Sequence, residues 1–189
     1  MQKTGIDLSI LICSLNRRKE FLDRLKTIIK PQLLPNVEVL CKIDDGQRTI
    51  GEKRQQLLEM SCGRYIAYVD DDDRISDDYV DSILSVTNSD SDIISFDVEI
   101  SENGGSYKKV KYHMRFEHDK DFSDHYERIP NHLMAVKKDL AIKAGFPGKS
   151  FAEDYEYALR LKPLLITQKS IDKTLYYYDF NEKTSETRN

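Results

Sequence analysis

Four consecutive carboxylates, Asp70, Asp71, Asp72 and Asp73, close the segment RYIAYVDDDD. Neighbouring negative charges repel, so a fold does not gather four of them behind an apolar run without compensation. Hard cations such as Mg2+ and Mn2+ take oxygen ligands, and Mg2+ sites use one or two carboxylates with substrate phosphates completing the shell. An Asp-x-Asp triplet at a strand end offers that, because its two outer side chains lie on one side. Asp70 and Asp72 have this spacing, and Asp71 and Asp73 form the alternate pair. A helix–loop–helix calcium loop fits badly, since Ile75 holds its glycine position and the closing glutamate is missing. With no ligand, the run would be a solvated acidic turn.

Two further acidic pairs could take part. Asp44 and Asp45 end the apolar run VEVLCKI, and Glu153-Asp154 opens the segment EDYEYALRL. A carboxylate within hydrogen-bond reach of a hydroxyl can take its proton as that hydroxyl attacks. The alternative for Glu153-Asp154 is a helix N-terminus that favours acids near its positive end. His132, in IPNHLMAV, precedes an apolar run and suits either a structural histidine or a side chain lining an acceptor pocket.

The elements that must position these groups follow from periodicity. Residues 7–15 predict a buried strand. Residues 17–30 predict a helix with Phe21, Leu22, Leu25, Ile28 and Ile29 on one stripe, stopped by Pro31 and Pro35. Strands are predicted over 37–46, 64–69 and 91–100. Helices are predicted over 51–63, with a left-handed stop at Gly63, and over 76–89, capped by Ser76. This alternation calls for a mostly parallel central sheet with helices on both faces, a Rossmann-like α/β fold. Ligands of such sheets bind beyond the C-terminal strand ends, where Asp44, Asp45 and the four aspartates all fall. Beyond residue 100 the pattern predicts a hairpin turning at Asn103-Gly104-Gly105, a short helix over 137–145, a helix from 151 broken at Pro163, and a late strand bearing Tyr176, Tyr177 and Tyr178. The tail over 181–189 is polar and expected to be flexible. The three tyrosines fit strand packing or a sugar platform.

A chain of 189 residues with 39% hydrophobic and 33% charged residues suits one globular domain, 1–189, with 1–100 and 101–180 as its two halves. No apolar run approaches the roughly 18 residues of a membrane span. Cys13, Cys41 and Cys62 lack the pairing of a zinc site and are expected to be buried reduced thiols, which favours a cytoplasmic setting. The net charge of −4 gives no general affinity for nucleic acid or anionic membrane. The basic segment KKVKYHMR is a solvated hairpin or a face toward an anionic acceptor.

The order ILICSLNRR, IDDG, GEKRQQLLEMSCGRYIAYVDDDD and FAEDYEYALRL resembles the family-2 glycosyltransferases, over residues 7 to about 162. The resemblance implies an inverting enzyme on the A-type nucleotide-sugar-binding fold. It implies an Mn2+ or Mg2+ cofactor, a donor that is a nucleotide-diphosphate sugar with a lean to UDP, and a hydroxyl acceptor on a glycan, a lipid carrier or a modified DNA base. Compact length is compatible with a phage-type member working in host cytoplasm. The family's first motif falls on Cys13-Ser14-Leu15-Asn16-Arg17, which keeps the asparagine and arginine but lacks the proline and tyrosine. Ser14, Asn16 and Arg17 are thereby placed beside the donor nucleotide. Asp45, with Asp44 next, matches the residue that meets the base. Arg54 and Lys53 match the basic position facing the diphosphate. Asp70 and Asp72 match the metal-binding triplet, with Asp71 between them at the donor. Asp154 matches the general base, with Glu153 beside it. The family's late metal-binding histidine has no counterpart in LYYYDFNEKTSETR, so either Asp179 substitutes or no third protein ligand exists. One rival, a sugar nucleotidyltransferase, would carry a glycine-rich phosphate loop after the first strand, and CSLNRRKE has no glycine. The other rival is a nucleotide-binding module without turnover.

Overall fold

A computed structural model describes residues 5–182. Five α-helices and ten strands form a mixed α/β fold: a central, mostly parallel sheet flanked by helices. The first strand, β1 (Leu8–Leu15), is buried along almost its whole length, as a strand covered on both faces must be. It pairs in parallel with β2 (Val37–Asp44) on one side and β3 (Tyr65–Tyr68) on the other. Helix α1 (Lys19–Ile29) buries Leu22, Leu25 and Ile29, three members of the expected stripe. Helix α2 (Ile50–Met60) is fixed at its start by a capping box. The Thr49 side chain accepts from the Glu52 N–H, and the Glu52 carboxylate accepts from the Thr49 N–H at 2.8 Å.

The sheet departs from simple alternation at its centre. β4 (Arg74–Ile75) is a two-residue strand before α3 (Tyr79–Val86), and β5 (Ile93–Glu102) follows. β5 runs in the direction of β3 but does not touch it. A short antiparallel strand, β9 (Ala135–Lys137), lies between them and pairs with both. The outer half of β5 then pairs with β6 (Lys108–Tyr112), across the expected turn, in which Asn103 and Gly104 adopt φ of 52° and 77°. β7 (Lys120–Asp121) and β8 (His125–Arg128) extend that edge. Helices α4 (Lys138–Ala144) and α5 (Glu153–Leu161) follow, and β10 (Gln168–Phe180) lies parallel to β5 along its other edge.

Some expectations need correction. α2 ends at Met60, and Gly63 is not a left-handed stop. A Cβ at Gly63 would lie 2.5 Å from the Ser9 backbone nitrogen, so glycine is required there by close approach to β1. α3 begins at Tyr79 after Asp78, not at a Ser76 cap, and has no side-chain cap hydrogen bond. Cys62 is exposed, whereas Cys13 is buried and burial pushes its thiol up to about 12; all three cysteines are free. The expected tail lies outside the described residues from residue 183 on. No helix among the described residues is long and apolar enough to cross a membrane.

Gly51 ties α2 to the loop before α5. Its N–H donates to the Lys149 carbonyl at 3.1 Å, and a Cβ there would stand 1.9 Å from the Pro147 carbonyl oxygen. Gly51→Ala is therefore expected to lower unfolding free energy by about 1–3 kcal/mol, measured as a lower urea midpoint with unchanged slope. An unchanged midpoint would mean that the 147–149 loop yields freely.

Candidate active site

The C-terminal ends of β1, β2 and β3 open into a cleft of about 740 Å3. The four aspartates line it, and each is answered by a partner of its own chain. Asp71 is buried; it accepts from the Ser14 hydroxyl at 2.5 Å and from Arg18 Nε and Nη2 at 3.0 and 2.8 Å. The same guanidinium reaches Asp72 at 2.8 Å. Asp73 is buried too, and its carboxylate accepts from the Tyr176 hydroxyl at 2.6 Å and from the Asp179 N–H at 3.2 Å. Asp70 accepts from Arg54 at 2.8 Å, and its own N–H donates to the Tyr176 oxygen at 3.1 Å.

These surroundings set different proton affinities along the run. Burial would raise the Asp70 pKa, but the Arg54 guanidinium and the His132 ring together hold that carboxyl well below the usual range. Burial and the charges of Asp70 and Asp72 push Asp73 well above it. Burial raises Asp72 as well, against the opposing pull of Arg18. The run forms a tight turn in which the Asp73 N–H donates to the Asp70 carbonyl at 3.2 Å; Asp71 and Asp73 face inward, and the side chains of Asp70 and Asp72 are left 32% and 25% exposed. Of the two spacings open at the outset, Asp70 and Asp72 are thus the pair with oxygen surface in the cleft. Their hard oxygen donors suit Mg2+ or Mn2+. Among the described residues no three His, Cys, Asp or Glu side chains converge as a metal ligand set. Any such ion would be held by these two carboxylates with phosphate and water oxygens supplying the rest. Asp179 offers no evident third ligand, because its carboxylate is taken by Arg74 Nε and the Tyr107 hydroxyl, each at 2.6 Å.

The basic residues of α2 do not face open space. Lys53 is buried and donates to the Ser14 carbonyl at 3.0 Å and to Asp44 at 3.1 Å. Arg54 spans the cleft base, from Asp70 to Glu153, which it reaches at 2.5 Å. Both line the cleft, and both are engaged there by carboxylates of the chain itself. Glu153 is likewise a buried partner of Arg54 and positions the start of α5. Asp154, next in sequence, is 40% exposed and lines the cleft. Its Oδ1 accepts from the Tyr155 N–H at 2.8 Å, and its Oδ2 lies 3.9 Å from Nδ1 of His132. Ala152, just before this pair, holds φ 55° and ψ 25°, a left-handed conformation that costs a non-glycine residue about 1–2 kcal/mol. It turns the chain so that Glu153 points in and Asp154 faces the cleft.

His132 stands between the two poles. Its buried ring has Nε2 3.5 Å from Asp70 Oδ2 and its Nδ1 has no hydrogen-bond partner. Asn16 and Asp45 form an exposed pair at 2.7 Å beside the cleft. Asp44 is buried below them, accepting from the Gly46 and Arg48 N–H groups. Arg17 and Arg48 are exposed and line the cleft. Three roles were not anticipated. Arg18 follows the matched Arg17, and the doubling of arginine was its signal. Arg48 follows a Gly-Gln turn with no helical or strand period to mark it. Tyr176 combines packing with a hydroxyl that ties Asp70 to Asp73, which the run of three tyrosines alone does not specify.

The Asp44–Lys53 pair gives a pH test. Burial would raise the Asp44 pKa, but Lys53 and the two N–H groups bring it below the ordinary value. A depressed carboxyl stabilises the fold above its unfolded pKa of about 3.9 and loses that contribution as pH falls through the folded value. Asp44→Asn leaves buried Lys53 unpaired, so it is expected to cost about 3 kcal/mol at pH 7. The difference from wild type should shrink below about pH 4 in urea titrations. A difference that stays constant down to pH 2 would contradict the assignment.

No protein-family model matches the chain, and no curated protein matches it. Solved structures do. TarS 1-349 of S. aureus in complex with UDP superimposes with a TM-score of 0.71 at 16% identity, covering 92% of this chain and 60% of that one. TarS 1-349 in complex with UDP-GlcNAc gives 0.69 at 15% identity, with 92% and 58% covered. The longer TarS structure gives 0.68 at 14% identity, with 92% and 37% covered. The chain therefore spans about 60% of the shorter TarS structure and shares its fold.

Proposed function

We propose that this protein is an inverting, metal-dependent glycosyltransferase that moves a sugar from a nucleotide-diphosphate sugar, first of all a UDP-sugar, to an acceptor hydroxyl. The observation that carries the reading is the disposition of Asp70, Asp72 and Asp154. Two carboxylates with free surface and one exposed carboxylate at a helix start line one cleft, and TarS, which shares this fold, is solved with UDP and with UDP-GlcNAc.

In this reading the donor diphosphate lies over Asp70 and Asp72, flanked by Arg17 and Arg48, with the base toward Asn16 and Asp45. A bound Mn2+ or Mg2+ would act as a Lewis acid toward the departing nucleoside diphosphate. Asp154 takes the proton of the acceptor hydroxyl as its oxygen attacks the anomeric carbon. One base and one displacement invert the anomeric centre, so an α-linked donor gives a β-linked product. Arg54 keeps the two ends in register, because one rigid guanidinium holds Asp70 and Glu153 together. Burying Asp71 and Glu153 without partners would be costly, and Arg18 and Arg54 offset that cost.

Calorimetric titration with UDP is expected to show binding that depends on Mn2+ and is lost in Asp72→Ala. Absence of binding to UDP, GDP, CDP and TDP with metal present would remove the donor assignment. Asp154→Asn is expected to keep UDP affinity and lose about 10²- to 10⁴-fold in turnover. Turnover within threefold of wild type would move the base elsewhere. Binding of nucleotide with no turnover in the wild type, across donors and acceptors, would favour a nucleotide-binding module.

A further inference from the structure

The two ends of the sheet are built differently. At one end β7 is a two-residue strand, Lys120–Asp121, short and charged, which is how an exposed edge is commonly protected. At the other end β2 runs for eight residues in unbroken register with β1 and pairs with no other strand among the described residues. Neither a proline nor a bulge interrupts it. The Leu8 N–H donates to the Asn36 carbonyl, so alternation turns the even-numbered backbone groups of β2 toward β1 and the odd-numbered ones outward. The Val37 N–H finds the Leu34 carbonyl at 3.0 Å. The N–H and carbonyl groups of Val39, Cys41 and Ile43 point away from the sheet, toward the place of a further strand.

The side chains along this edge are complementary to themselves. Outward from Leu40 the strand reads Val39 and Cys41, then Glu38 and Lys42, then Val37 and Ile43. Two copies laid antiparallel with Leu40 on the two-fold axis therefore bring Glu38 of each copy opposite Lys42 of the other, and apolar side chains opposite one another at the remaining positions. A slip of one residue would set outward backbone groups against inward ones. A slip of two in one direction sets Glu38 against Asp44, and in the other sets Glu38 against Leu40 and Lys42 against Asn36. The register on Leu40 alone matches both charges. Glu38 keeps an oxygen for this contact, because the Ser9 hydroxyl, at 2.6 Å, and the Cys62 N–H both bond to its Oε1. Lys42 meets no carboxylate among the described residues. A lysine on an edge turns away foreign strands, but a second copy of this chain brings a carboxylate to the point where the lysine stands.

We infer that β2 is the interface between two copies of this chain, paired antiparallel about Leu40 so that one sheet runs through both. The hydrogen bonds between Val39 of each copy and Cys41 of the other supply the main-chain part of the contact, and the two Glu38–Lys42 pairs fix its register. Because the strands are antiparallel, the clefts at their C-terminal ends open in opposite directions, and donor binding is independent of the pairing.

Sedimentation of the whole chain from micromolar to submillimolar concentration is expected to show a monomer–dimer equilibrium. Lys42→Glu sets like charges opposite one another at both pairs. It is expected to raise the dimer dissociation constant at least about tenfold, with the circular dichroism spectrum and UDP affinity unchanged. Leu40→Cys in a Cys62→Ser background places two thiols across the two-fold axis, and mild oxidation is expected to trap a covalent dimer. Ile43→Cys in the same background puts the new thiols about 20 Å apart and is expected not to cross-link. A monomer at every concentration would overturn the inference. So would a dimer indifferent to Lys42→Glu, or one that cross-links as readily through Ile43→Cys as through Leu40→Cys.

Discussion

Two guanidinium groups make the cleft possible. Four adjacent carboxylates at one strand end would repel one another and resist burial, yet two of them are buried and two are only partly exposed. Arg18 answers Asp71 and Asp72 from the end of β1, and Arg54 answers Asp70 from α2. Tyr176 and the Asp179 backbone hold the fourth from β10. Three separate parts of the chain therefore meet at this acidic turn. Their meeting fixes where β1, α2 and β10 sit relative to the end of β3, and so fixes the walls of the cleft.

The same arrangement divides labour by geometry. The tight turn from Asp70 to Asp73 sends Asp71 and Asp73 into the protein and leaves Asp70 and Asp72 at the surface of the cleft. Arg54 carries the pattern across to Glu153, and the left-handed Ala152 turns Asp154 outward beside it. His132, between Asp70 and Asp154, closes a ring of groups that links the two sides.

Much of this was legible in the sequence. The buried strands over 7–15 and 64–69 declare themselves by their apolar runs, and the aspartates that close the strands over 37–46 and 64–69 mark the ligand edge of the sheet. The hairpin at Asn103-Gly104 follows from residues that tolerate positive φ. β9 was not legible, because three residues, Ala135, Val136 and Lys137, give too short a period to separate a strand from a helix start. The pairing of charges was not legible either. Arg17 and Arg18 are the same residue type side by side, and only the turn after β1 decides that the first is exposed and the second buried. Likewise Lys53 and Arg54 look like ligands for an anion until α2 is docked, when both find carboxylates of the chain itself.

The wedge of β9 between β3 and β5 has a consequence for how the chain must assemble. During synthesis, β3 and β5 are complete some 30 residues before the strand that joins them exists. Until residues 135–137 arrive, each presents an open edge of unpaired N–H and carbonyl groups, the template on which foreign strands add. The nascent first half is thus the vulnerable stage, and its sheet becomes continuous only when a segment from the second half is laid into it. The cleft is completed later still, when α5 brings Asp154 and β10 brings Tyr176 and covers the other edge of β5, so the binding site is gained only as the last aggregation-prone edge of β5 is lost.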